Sequence, residues 1–237
     1  MSEAVVLLSG GIDSAVCLAL AAAEYETVTP VHISYGQQTE SLEDWQALRQ
    51  RNHIEEQYPG TNMNPMIGVD YSDVFQWFAA GVASDRDSFV TEDGELEEDD
   101  GRSTGYVPMR NLHFIATAAG IADVHDADAV YIGVQGGDEE SYPDCRMEFI
   151  DKAAGAVTNS LADDKHIDIR VPLIWLSKEE VIAAGEDYNV AWEYTYSCYE
   201  EVRDPENPEP CGECPACIER IEAFEAAEVN DPIYDNE

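Results

Sequence analysis

The chain has 237 residues, enough for one large α/β domain with a sizeable core, or for such a domain with a small appendage. No apolar run approaches the ~20 residues that cross a bilayer, and the opening MSEAVVLLSG lacks a basic leader, so a cytoplasmic protein with no membrane partner is expected. Fifty acidic residues against 12 basic ones give a formal net charge of -38, yet 44% of residues are apolar, which excludes a disordered acidic tail. A surface of that sign repels polyanions, so no direct nucleic-acid partner is expected. It reads as adaptation to a salty cytoplasm, where salt screens the self-repulsion.

In chain order, the apolar run Val5, Val6, Leu7, Leu8 predicts a strand buried on both faces. Ser9-Gly10-Gly11 forces a tight turn, and Ile12, Asp13 and Ser14 lead into a helix over residues 15–20. A strand, a glycine turn and a helix start make an anion site, because the first helical amides have no internal partner and the dipole favours negative charge there. The guest is a phosphate or pyrophosphate. A Walker loop is excluded because there is no GxxxxGK[ST], and a dinucleotide fingerprint because there is no GxGxxG followed by an acid about 20 residues on.

A second strand is predicted over residues 27–34, followed by the loop Tyr35-Gly36-Gln37-Gln38. Residues 42–57 read as an amphipathic helix with Leu42, Trp45, Leu48 and Ile54 on one face, stopped by Tyr58-Pro59-Gly60. A third strand is expected over 65–69 and a short helix over 74–82. Residues 84–105 interrupt the rhythm with an acid-rich stretch that reads as a solvated insertion or a lid. A helix over 112–124, a strand over 129–134, a helix over 147–161 and a strand over 167–171 follow. Ser177 caps a helix over 178–187, with Glu180 at the capping-box position. This alternation implies a doubly wound parallel sheet with ligands at the carboxyl ends of its strands, where Ser9 and Tyr35 fall. The α/β domain is expected to run to about residue 190, with a small metal-binding appendage over 191–237.

Four of the six cysteines crowd the end of the chain: Cys198, then Cys211, Cys214 and Cys217 in the pattern CxxCxxC. In a cytoplasmic chain this favours metal over disulfides. Four thiolates complete a tetrahedron and leave no open position, so a structural Zn2+ is expected, with a helix over 218–227 packing on it. Cys17, inside the first helix, reads as core.

The motifs SGGIDS, YGQ, VPxRN, a glycine-rich turn with Asp138, YPDCR, a Lys-Glu-Glu helix start and SCY before CGxCxxC occur in that order from Ala4 to about Phe224. SGGIDS resembles the pyrophosphate loop of the ATP pyrophosphatase (PP-loop) superfamily, whose fold is adenine nucleotide alpha hydrolase-like. The whole series resembles the 7-cyano-7-deazaguanine synthase (QueC) family. The resemblance implies conversion of 7-carboxy-7-deazaguanine, ATP and ammonia to the nitrile through adenylated acid and amide, in queuosine or archaeosine biosynthesis. It implies Mg2+ with ATP and a possible homodimer. By that resemblance Leu8, Ser9, Gly10, Gly11, Ile12, Asp13 and Ser14 hold the phosphates, with Asp13 close to the metal. Ile33 and Tyr35 flank adenosine, Asn111 meets ATP or substrate, and Lys178 and Arg110 join Asp13 as catalytic groups. Asp138, Asp144 and Arg146 are the candidates for the deazaguanine pocket, since an acid accepts from guanine-like N–H groups and an arginine pairs with a carboxylate. Met109 and Ser34 depart from the family pattern, which usually has glycine and often an acid there, and the glutamate expected in the helix after YGQ is out of register. The competing readings are another PP-loop enzyme, such as a tRNA thiolase, and a non-enzymatic zinc-binding module that kept the fold.

Overall fold

The computed structural model describes residues 2–77, 107–137, 142–199 and 208–234. The predicted helix over 74–82, the acid-rich stretch and Asp138 therefore fall partly or wholly outside the described residues. Strands β1 (Glu3–Leu7), β2 (Thr27–Ser34), β3 (Asn62–Met63), β4 (Ile67–Asp70), β5 (Ala129–Tyr131) and β6 (Asp168–Arg170) form one sheet in the order β3-β2-β1-β5-β6, with β4 also on β2. Every pairing is parallel. The helices are α1 (Ile12–Glu24), α2 (Glu40–Gln57), α3 (Ser72–Phe75), α4 (Arg110–His125), α5 (Met147–Ser160), α6 (Lys178–Asp187) and α7 (Pro215–Ala226).

Strand alternation divides the core in two. Ala4, Val6, Leu8, Val28, Ala129 and Tyr131 face α1, α2, α6 and α7, where they meet Val16, Ala47, Ile182 and Phe224. Val5, Leu7, Val31, Ile33, Val130 and Ile132 face α4 and α5, where they meet Ile115, Ala119, Ile150 and Ala153. Both faces are covered, which is why the strands read as apolar runs and not as an in/out pattern. Cys17 lies fully buried in the first of these clusters, and burial pushes its thiol well above the ordinary range.

From β1 the chain passes to β2 on one side, and β5 lies on the other, so the sheet reverses direction between β1 and β5. Ligands of such sheets sit outside the carboxyl ends at that reversal. The end of β5 comes close to the start of α1 there. A Cβ added at Gly133 would lie 2.9 Å from both the Asp13 carbonyl carbon and the Ser14 nitrogen.

Candidate active site

The turn after β1 is tied by its own hydroxyls. Ser9 N donates to Ser14 Oγ at 3.2 Å, Gly11 N to Ser9 Oγ at 3.3 Å, and Ser14 Oγ to Gly11 O at 3.0 Å. Gly10 has φ +87, and a Cβ there would meet the Glu43 carbonyl at 2.6 Å, so only glycine fits. Gly11 is the N-cap of α1 and carries no side-chain cap, which leaves the first amides of the helix to an outside acceptor. The Ile12 and Leu8 side chains are buried in the core, so only their backbone is available to a ligand.

A cleft of about 280 Å³ opens at this point. It brings together Leu8, Ser9, Gly11 and Ser14 from the turn, Ile33 and Tyr35 from the end of β2, and Arg110 and Asn111 from α4. The Tyr35 ring packs between Phe75 and Phe114, with ring centres 5.8 and 5.7 Å away, and burial raises its pKa despite the opposing pull of Arg110. Burial works against the Arg110 charge, but Tyr35, Asp144 and Cys145 outweigh it and raise its pKa, so a permanent cation faces the cleft.

The Asn111 side chain is already engaged within the protein. Its Nδ2 donates to Asp144 O at 3.1 Å and to Cys145 Sγ at 3.3 Å, while its own N–H donates to Asp144 Oδ2 at 3.0 Å. The side chain thus joins the start of α4 to the 3-10 turn Pro143–Cys145. The buried Asp144 carboxylate is engaged on α4, and the exposed Arg146 is the N-cap of α5 and does not line the cleft. Asp13 and Lys178 form an ion pair, Nζ to Oδ2 at 2.8 Å and to Oδ1 at 3.1 Å, and neither lines the cleft. Lys178 instead borders a neighbouring open groove with Gln135, Gly136 and Ser177. Met109, the N-cap of α4, has φ +59, a left-handed conformation that costs a side chain about 1–2 kcal/mol. A glycine at that position would carry no such cost.

Sequence reasoning missed several walls of the cleft: Thr39 and Glu43 at the start of α2, Gly133, and Tyr196, Ser197 and Tyr199. Glu43 was legible only as a first-turn acid following the YGQ loop. The stretch around Tyr196 was read only through its SCY motif and the metal role of Cys198, with no place in the cleft given to it.

The four sulfurs of Cys198, Cys211, Cys214 and Cys217 lie within 4.8 Å of one another, and three of their separations are 3.5, 3.8 and 4.0 Å. Backbone N–H groups of Cys211, Glu213 and Cys214 point at sulfur, at 3.3 to 3.5 Å. This donor set suits one soft cation, so the cluster could hold a metal ion. It adjoins the cleft directly: Cys198 lines it, and Tyr196 N donates to Gly10 O at 3.0 Å.

Fold and site together define a doubly wound α/β protein with a glycine turn and an uncapped helix start at its switch point. The family model described as "Queuosine biosynthesis protein QueC" matches residues 3–228, and the chain belongs to that family. It is 37% identical over 199 residues to a 7-cyano-7-deazaguanine synthase of Methanospirillum hungatei, covering 84% of this chain and 86% of that protein. To the synthase of the same name from Nautilia profundicola it is 35% identical over 199 residues, 84% and 85% of the two chains. Among solved structures, a 4-thiouridine synthetase in complex with RNA and bound ATP superposes with a TM-score of 0.51 at 15% identity. That match covers 95% of this chain and 50% of the other, a likeness of fold.

Proposed function

We propose that this protein makes 7-cyano-7-deazaguanine from 7-carboxy-7-deazaguanine, ammonia and ATP. The observation that carries the reading is the convergence, in a chain of this family, of the Ser9–Ser14 turn, Tyr35 and Arg110 on one cleft at the sheet reversal. A carboxylate or amide oxygen is a poor leaving group, and AMP is a good one. Each half-reaction therefore needs an adenylated oxygen and a departing pyrophosphate.

Free amides at the head of α1, the Ser9 and Ser14 hydroxyls and the helix dipole receive the phosphates as charge moves onto pyrophosphate. Ile33 and Tyr35 form an apolar and aromatic wall for adenosine. Arg110, cationic at any working pH, faces the anionic reacting centre. Asp13 and Lys178 stand beside the loop with one charge of each sign. In this reading Lys178 turns to the phosphates and Asp13 to the Mg2+ that travels with ATP and neutralises their charge. Asp138, Asp144 and Arg146 remain the candidates to read the deazaguanine ring.

The cysteine cluster fits Zn2+. Tetrahedral thiolates ~2.3 Å from one ion are ~3.8 Å apart, close to the separations here. An iron–sulfur cluster spreads its cysteines over several irons, and these four sulfurs converge on one point. The reading further includes a salt-adapted, cytoplasmic enzyme acting on small molecules alone, with a homodimer and an archaeosine or queuosine end product.

The test is incubation with ATP, Mg2+, ammonium and the carboxylate in concentrated KCl, read by mass spectrometry. Nitrile, AMP and pyrophosphate are expected, with loss of all three in Asp13→Ala. A thiolated product, or unchanged turnover in Asp13→Ala, overturns the respective part. Metal analysis of the purified chain should return one zinc per protomer.

A further inference from the structure

Among the described residues, Arg110 and Glu43 are the only charged side chains lining the cleft. Arg110 suits an anionic guest. A carboxylate in a cleft for a polyphosphate does not, unless a cation sits against it.

Glu43 is not an incidental surface acid. It is half-buried, and two buried neighbours hold it. Gln37 Nε2 donates to its Oε2 at 2.8 Å, and the Thr39 hydroxyl donates to its Oε1. Gln37 is fixed in turn, because its Oε1 accepts from Tyr35 N at 2.9 Å. Thr39 is the N-cap of α2, yet its hydroxyl caps no backbone amide and is spent on Glu43 instead. An N-cap bond is worth about 1 kcal/mol to a helix. Giving it up to orient one carboxylate is the kind of local concession that marks a functional position. Two neutral donors hold the carboxylate in place. Its own backbone carbonyl abuts Gly10, so it stands on the wall between the phosphate loop and Tyr35.

We propose that Glu43 binds the ammonium ion and takes its proton for the amide-forming step. This rests on the synthase reading above. Each Glu43 oxygen already accepts one hydrogen bond and keeps a lone pair for a hydrogen-bonding cation. Near neutral pH ammonia is mostly protonated and has no free lone pair. Ammonium gives one proton to Glu43, and the freed nitrogen pair bonds to the carbonyl carbon of the acyl adenylate. As the C–O bond to AMP breaks, AMP leaves with that electron pair, and a second proton passes from nitrogen to water. The products are the primary amide and AMP.

The full chain offers a built-in control, because the second half-reaction, amide to nitrile, consumes ATP but no ammonia. In Glu43→Gln, conversion of the acid should fall about 100-fold with a raised KM for ammonium. Pyrophosphate release from acid and ATP without ammonium should persist, and amide should go to nitrile within about twofold of the wild-type rate. Thr39→Val should shift KM for ammonium in the same direction, more mildly. Equal losses on acid and amide would assign Glu43 to ATP or its metal and overturn the proposal, as would an unchanged KM for ammonium. If the wild-type chain converts neither acid nor amide, it is the synthase reading that fails.

Discussion

Replacing Gly133 by alanine puts one methyl group where β5 passes the start of α1. The added carbon would sit 2.9 Å from Asp13 C and Ser14 N and 3.1 Å from Asp13 Cβ. Carbon contacts are comfortable at about 3.5–4.0 Å, so the two segments must part by roughly 0.5–1 Å. Neither yields easily: Val130 and Ala129 on one side and Ala15 and Val16 on the other are fully buried. Overpacking of this kind costs about 1–3 kcal/mol, and the loss of glycine's freedom in the unfolded chain returns about 0.4–1 kcal/mol. The steric term wins, leaving a net loss of about 1–2 kcal/mol, or roughly 2–8 °C in Tm for a chain of this size. The functional loss should be larger in proportion. The part displaced is the Ser9–Ser14 turn proposed to hold the phosphates, and a 1 Å misplacement of reacting groups costs about 100-fold. Thermal unfolding in concentrated KCl, together with pyrophosphate release, measures both. A Gly133→Ala protein with wild-type Tm and wild-type pyrophosphate release would refute the account of the loop as a close-packed corner.

The same substitution should have the opposite sign at Gly120 in α4, where an added Cβ meets nothing within 4 Å: Gly120→Ala should raise stability by about 0.5–1 kcal/mol in the same melts. Arg220 and Asp231 form a buried two-point pair, Nε to Oδ2 at 2.6 Å and Nη2 to Oδ1 at 2.8 Å, with side chains 2% and 7% exposed. Arg220→Met strands the aspartate and should cost about 3–5 kcal/mol in denaturant unfolding, most of it recovered in the double variant Arg220→Met/Asp231→Leu. Stripping metal with a strong chelator should loosen residues 198–217 to protease before the sheet melts, and Cys214→Ser should do the same without chelator. With a formal charge of -38, Tm should climb as KCl is raised from about 0.1 to 3 M, where the Debye length drops from ~10 Å to below ~3 Å; a flat Tm would remove the salt-adaptation argument.

The parts of the fold that could be read from sequence were those dictated by local chemistry. The run from Val5 to Ser14 gave a strand, a glycine corner and a helix because apolar bulk, paired glycines and a hydroxyl each act within a few residues. The Ser177 cap is present with its reciprocal partner, Glu180 Oε2 accepting from Ser177 N at 2.9 Å. β2 and α6 match their expected limits. Less visible was what distant contacts decide. β3 is two residues long and exists because β2 offers an edge to it. β5 stops at Tyr131 although apolar residues continue to Val134, and Gly133 in that continuation lies against the start of α1. In the site, Ser9, Ser14, Tyr35 and Arg110 were identifiable from their motifs. The wall at Tyr196–Tyr199 carries no periodic pattern, and Asn111 looks the same in sequence whether it faces a ligand or Cys145.

The bond from Tyr196 to Gly10 joins two regions that sequence treats as separate, the cysteine knuckle and the loop at the head of α1. Two residues further on, Cys198 is at once a sulfur donor and part of the cleft surface. Where occupancy of one region is coupled to that of the other through this join, thermodynamic reciprocity fixes the sign both ways. If a bound metal tightens the grip on nucleotide by some factor, nucleotide slows the departure of the metal by a matching free energy.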